Sequence, residues 1–263
     1  MVTTGSIPEI GVVHKNGVRR IEIRRPEKKN ALTRNMYAAM SEAMEAADKD
    51  AATRVIFLHA KGDCFCAGND LKEFQQAGED SKLRAGRENP FLKTISRLEK
   101  PMVAAVNGQA IGVGTTLLLH FDLVYAGCSA TFSMPFVRLG LCPEAGSSFL
   151  LPRLVGHQRA SEILLLSRSL SAREAVDLGM VNALFADNRV VEQSLVIAEK
   201  LAQQPPESVR LTKALLKKSA RSTLFETMDD EIDHFSRRLA SGECREALAA
   251  FFQHRPPDFS SFT

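Results

Sequence analysis

The sequence predicts an α/β protein in which a unit of two strands and a helix repeats three times, followed by a helical C-terminal region. Three observations predict it. Short strand-like runs recur at 54–60, 102–106 and 123–126, the second an apolar run bounded by Pro101 and Asn107-Gly108, as suits a buried strand. Each run leads into a turn that contains glycine. From residue 190 onward the patterning is helical throughout.

Taken in order, residues 12–25 alternate polar and apolar around Asn16-Gly17, the signature of a hairpin with a tight turn. After PEKKNAL (residues 26–32), Thr33 can cap a helix over 34–49. Within it Met36, Met40, Ala43, Met44 and Ala47 keep a helical period and form a core stripe. Residues 54–60 make the next strand, and 61–69 (KGDCFCAGN) a turn. Asp70 with Glu73 three residues on suggests an N-cap and its capping-box partner, which leaves amides free at a helix start. Residues 75–89 are polar and weakly patterned, which fits a mobile loop or a short helix beside a ligand. A helix over 91–98 stops at Lys100-Pro101, because the residue before proline is steered away from helical angles.

Residues 102–106 form a strand, and the turn Gly112-Val113-Gly114 opens a buried helix whose first amides point outward. Strands at 123–126 and 131–132 and helices at 143–151 and 158–167 follow. Ser171 with Glu174 makes a second capping box. Residues 178–181 end that helix and start a strand. Helices then cover 190–203, 207–220, 224–240 and 243–253, with Pro205-Pro206 as the first break. We divide the chain into a core, 1–200, and a helical region, 201–263, that packs on the core or on a neighbouring subunit.

With 263 residues, 44% of them hydrophobic and 25% charged, the chain has the composition of a soluble globular protein. Its net charge of +3 is interspersed and gives no footprint for nucleic acid or membrane. The most apolar window, 102–127, is interrupted by Asn107, Gln109, His120 and Asp122, so it suits a core better than a membrane span. Pro8, Glu9, His14 and Lys15 precede any long apolar run, which argues against a signal peptide. Five cysteines, an odd number without repeated pairing, point to a reducing compartment and a cytoplasmic location.

Several chemistries are disfavoured. Cys64-Phe65-Cys66 has no second Cys or His pair at ligand spacing, so we expect inert thiols and no metal. Gly146-Ser147-Ser148 is not a nucleophile elbow. The spacing Gly108, Gly112, Gly114 matches neither a dinucleotide fingerprint nor a phosphate loop. Two amide-bearing turns could instead converge on one oxygen that becomes charged only during reaction.

Several motifs in order resemble the crotonase (enoyl-CoA hydratase/isomerase) superfamily over nearly the whole chain. They are KNAL (residues 29–32), FCAGNDL (65–71), the segment 101–114, Phe121-Asp122, LGL (139–141) and SAREA (171–175). The resemblance implies a crotonase-like spiral of β-β-α turns, a helical trimerisation region, and a homotrimer or dimer of trimers. It also implies an acyl-CoA substrate whose thioester oxygen sits between the amides of Asn69 and Val113. Ala31, Ala67, Gly68, Asp70, Leu71, Gly112 and Phe136 are the further substrate and CoA contacts it implies.

Hydratases of this family use two glutamates, and the matching positions here are Thr116 and Phe136. Losing a general acid or base costs ~10² to 10⁴ in rate, which argues against hydration. LCPEAGSS (141–148) resembles the Δ3,Δ2-enoyl-CoA isomerases, in which a glutamate at the place of Glu144 is the sole base. From the residues alone, Glu144 could equally be an acid in a helix's first turn after proline. The implied activity moves a 3-enoyl-CoA double bond to the trans-2 position in fatty acid degradation. It needs no metal or redox cofactor, coenzyme A being part of the substrate. The alternatives are another acyl-CoA isomerisation (for example of a ring-derived ester), residual hydration, or a non-catalytic acyl-CoA-binding oligomer. Asp122 and Cys66 are expected to be structural.

Overall fold

The structure is a computed structural model that describes residues 7–79 and 90–262. Strands β1 (Ile10–Lys15) and β2 (Val18–Ile23) form the expected hairpin, with Asn16 and Gly17 both at positive φ, as a tight primed turn requires. Helix α1 (Arg34–Lys49) carries the chain to β3 (Val55–Ala60), which lies parallel to β2. Thr33 caps α1 by accepting from the Met36 amide, and Met36, Met40, Met44 and Ala47 are fully buried, so the stripe is core.

From there the chain alternates between two sheets. Strands β3, β5 (Met102–Val106), β7 (Leu123–Gly127) and β10 (Ala183–Phe185) extend the first in parallel, in the order β1-β2-β3-β5-β7-β10. Strands β4 (Cys64–Cys66), β6 (Gln109–Ile111), β8 (Thr131–Ser133) and β9 (Leu170–Ser171) build the second in that order. Each turn of the spiral gives one strand to each sheet and returns through helical segments. These are α2 (Leu71–Glu79), α3 (Pro90–Arg97), α4 (Val113–Thr116) with its 3-10 continuation Leu117–His120, α5 (Ser147–Val155), α6 (His157–Leu165) and α7 (Ala172–Asp177). The last helices are α8 (Val190–Ala202), α9 (Pro206–Lys218), α10 (Arg221–Leu239) and α11 (Gly242–Phe252).

Alternation along the strands sorts the core. Ile56 and Leu58 face the main hydrophobic cluster, while Val55 and Phe57 face a smaller one closed by Val190 and Ala198 of α8. Both faces of the first sheet are therefore covered, which is why its parallel strands are continuous apolar runs.

Several expectations need correction. Strands β4 and β6 lie inside stretches assigned to turns, because three residues flanked by glycine show no period. Helix α5 begins at Ser147 and not at 143, since Ala145 (φ 61) and Gly146 (φ 70) are left-handed and interrupt any helix. Glu144 thus lies before the helix and not in its first turn. Asp70 does accept from the Lys72 amide, but Glu73 closes no capping box. Its carboxylate accepts from the Arg34 amide, and the Asp70 amide donates to the Leu32 carbonyl. Of the segment 75–89, residues 75–79 belong to α2, and 80–89 lie outside the described residues. The capping box Ser171–Glu174 is present with both of its bonds.

Candidate functional site

Two backbone turns lie side by side after β4 and β6, neighbouring strands of the second sheet. The first follows β4. Leu32 forms a parallel bridge with Asn69, in which the Leu32 amide donates to the Gly68 carbonyl and the Asp70 amide to Leu32. That pattern turns the Asn69 N–H away from Leu32. The second turn follows β6, where Gly112 (φ 57) leads into Val113, the first residue of α4, whose amide has no intrahelical acceptor. Among the described residues neither the Asn69 nor the Val113 N–H donates to another protein group.

Close packing holds the turns side by side. A Cβ on Gly114 would come within 2.6 Å of the Cys66 carbonyl, so only glycine lets α4 approach β4 so nearly. The Gly68 amide donates to Cys66 Sγ, and burial pushes that thiol up to about 12. Cys66 is therefore a neutral packing group at the turn, and no nucleophile.

A cavity of about 200 Å³ opens beside the first turn. Its apolar wall is made by Tyr37, Phe74, Leu92, Ile232 and Phe235, from four different helices. Phe74 and Phe235 meet edge to face at 6.0 Å, as do Phe136 and Phe235 at 6.3 Å. The polar wall carries Asn69 and three carboxylates, Asp70, Glu73 and Glu144. Asp70 is paired with Arg25 at 2.8 Å, which also grips the Ala31 carbonyl. Glu73 holds the Arg34 amide. Glu144 is only 8% exposed and belongs to the turn that precedes α5.

Of the residues singled out from sequence, the cavity brings together Asn69, Asp70 and Glu144. Ala67 and Gly68 lie in the first turn, Ala31 precedes the Leu32 that bridges to it, Leu71 opens α2 after it, Gly112 and Val113 form the second, and the Phe136 ring meets that of Phe235. Thr116 is buried within α4. Asp122 lies elsewhere, accepting from the Met102 amide and pairing with Lys213 at 2.8 Å. Sequence reasoning missed Tyr37, whose hydroxyl donates to Asn69 Oδ1 at 2.7 Å, and the α10 wall of Ile232 and Phe235. Tyr37 lies beside the core stripe of α1 and carried no signal of its own. Among the described residues no three His, Cys, Asp or Glu side chains gather as metal ligands, and no helix is long and apolar enough to cross a membrane.

The enoyl-CoA hydratase/isomerase family matches residues 13–261. Rat enoyl-CoA delta isomerase 2 is 35% identical over 249 residues, 93% of this chain and 63% of the rat protein. The 1,2-epoxyphenylacetyl-CoA isomerase of Escherichia coli K12 is also 35% identical, over 94% of this chain and 96% of its own. A solved enoyl-CoA hydratase/isomerase from Pseudoalteromonas atlantica T6c superimposes with a TM-score of 0.90 at 44% identity, covering 96% of this chain and all of that one.

Proposed function

The chain belongs to the enoyl-CoA hydratase/isomerase family of enzymes, and within that family we propose that it is a Δ3,Δ2-enoyl-CoA isomerase with Glu144 as its base. The observation that carries this reading is the meeting of a buried carboxyl, Glu144, and the Asn69 turn on one largely apolar cavity.

The chemistry follows from these groups. Glu144 takes a proton from C2 of a 3-enoyl thioester, the electron pair moves onto the carbonyl oxygen as a dienolate, and the same carboxyl returns the proton at C4. The amides of Asn69 and Val113 stabilise the oxygen, each worth ~3 kcal/mol where charge develops. The balance requires no metal, redox cofactor or added water. With Thr116 and Phe136 at the hydratase glutamate positions, nothing there activates water, and Phe136, packed against Phe235 of the cavity wall, helps exclude it.

Glu144→Gln keeps shape and removes the base. Conversion of 3-hexenoyl-CoA, followed by absorbance, is expected to fall by at least ~10² while the protein stays folded. Full activity in that variant would refute the role. A second reading, isomerisation of a ring-derived CoA ester, is favoured by the aromatic wall and by the equally similar E. coli relative. Relative kcat/KM for linear 3-enoyl and ring-derived esters decides between them. We also propose a homotrimer or dimer of trimers built through the C-terminal helices.

A further inference from the structure

The Glu144 turn is anchored by a helix far away in sequence. Ala145 and Gly146 are both left-handed, a conformation disfavoured for a residue with a Cβ, so the turn needs outside support. Three groups supply it. His120 Nε2 lies 2.7 Å from the Ala145 carbonyl, and since burial holds this imidazole down at about 4, it is neutral and donates there. Glu231 of α10 accepts from the Gly146 amide at 2.6 Å and from the Ser148 amide at 2.9 Å, as well as from the Ser148 hydroxyl. Leu224, one turn earlier on the same face as Met228 and Glu231, lies so close that a Cβ on Gly146 would come within 2.3 Å of it.

We propose that Glu231 is the positioning residue for the Glu144 carboxyl. It fixes the backbone on which that carboxyl stands, while its neighbours Ile232 and Phe235 form the cavity wall. A buried carboxylate is costly unless several donors meet it. Glu231 is 7% exposed and burial raises its pKa, opposed by its bonds to Ser148 and Gly146. A site that only needed packing here would be filled by an apolar side chain. A site that must hold two converging amides in one place needs both carboxylate oxygens. Because C2 and the base must meet at contact distance, a displacement of about 1 Å can cost about 10² in rate.

The inference rests on Glu144 as base, and the experiment separates the two. Wild type, Glu231→Gln, Glu144→Gln and Lys213→Met are compared for kcat, KM, C2 proton exchange into deuterated water and thermal unfolding. Lys213→Met is a stability control, since it removes a buried anchor to Asp122 and the Lys100 carbonyl while both Glu231 bonds to the turn stay in place. Gln can accept at one oxygen only, so one amide of the turn loses its partner. We expect Glu231→Gln to lose about tenfold to a hundredfold in kcat and exchange, with KM within about threefold of wild type. Lys213→Met should lower the melting temperature without that kcat loss. Wild-type kcat in Glu231→Gln, or an equal kcat loss in Lys213→Met at matched stability, overturns the proposal. Full exchange in Glu144→Gln instead removes the base assignment itself, whatever Glu231 does. Should Glu231→Gln fail to fold, Glu231→Asp carries the test, because it keeps the charge and draws the carboxyl back by one methylene. Unchanged kcat there overturns the proposal, and a fall with KM retained supports it.

Discussion

At positions 69 and 113 the proposed work is done by backbone, so side-chain identity there is loosely constrained and the donor itself is the sensitive part. Val113 is the first residue of α4, the one helical place where proline is accommodated, since the N–H it lacks has no intrahelical partner. Val113→Pro is therefore expected to fold and to lose about 10² to 10³ in kcat, read in the 3-hexenoyl-CoA assay. Near-normal turnover would show that this amide does not face the reacting oxygen. The two turns were legible in sequence because glycines mark them, and Glu144 because a recognisable motif surrounds it. Glu231, His120 and Tyr37 were not, since they meet Gly146, Ala145 and Asn69 from 85, 25 and 32 residues away. No local spacing encodes such contacts.

The long elements could be read to within a few residues, as α1 and α8 to α11 show, because several helical turns give the apolar period room to repeat. Three-residue strands such as β4 and β6 have no such room and exist through pairing with neighbours. Helix α9 illustrates how tertiary contacts fix an element. Lys213 is 6% exposed and donates to the Lys100 carbonyl, Lys217 donates to His120, and both ammonium groups point to Asp122. Asp122→Ala would leave two cations without their counter-charge, and a cost of about 3 to 5 kcal/mol is expected in urea unfolding. Burial already holds Lys217 down at about 8 against 10.5 when unfolded. The unfolded chain thus binds more protons between those values, and stability rises with pH across that window. In Asp122→Ala the rise should begin at lower pH, because the amine loses the charge that favoured its proton. The folded variant is expected to keep its kcat, since Asp122 does not line the cavity; a loss of kcat at full folding would instead tie it to the chemistry, by way of His120 and the Ala145 carbonyl.

For the molecule as a whole, the outer face of the same helix is where the proposed assembly is expected to form. Lys213 points inward, so Leu211 and Leu215, two residues to either side, point outward, and Leu216 beside them is 77% exposed. Leu165 and Leu166 at the end of α6 are similarly bare. Burying a leucine side chain is worth about 1.5 to 3 kcal/mol, so a repeated patch of this size favours association. Sedimentation is expected to give three or six times the 28.9 kDa of one chain. The double variant Leu215→Glu, Leu216→Glu should shift it to the monomer by burying charge at the contact. Tyr37 of α1, Phe235 of α10 and Glu144 of its turn meet on the cavity wall within a single fold. A dissociated monomer should therefore still exchange the C2 proton of a bound acyl-CoA. If the double variant sediments like the wild type, α9 is not the contact. If the monomer forms and exchange vanishes with the fold intact, a neighbouring copy completes the site.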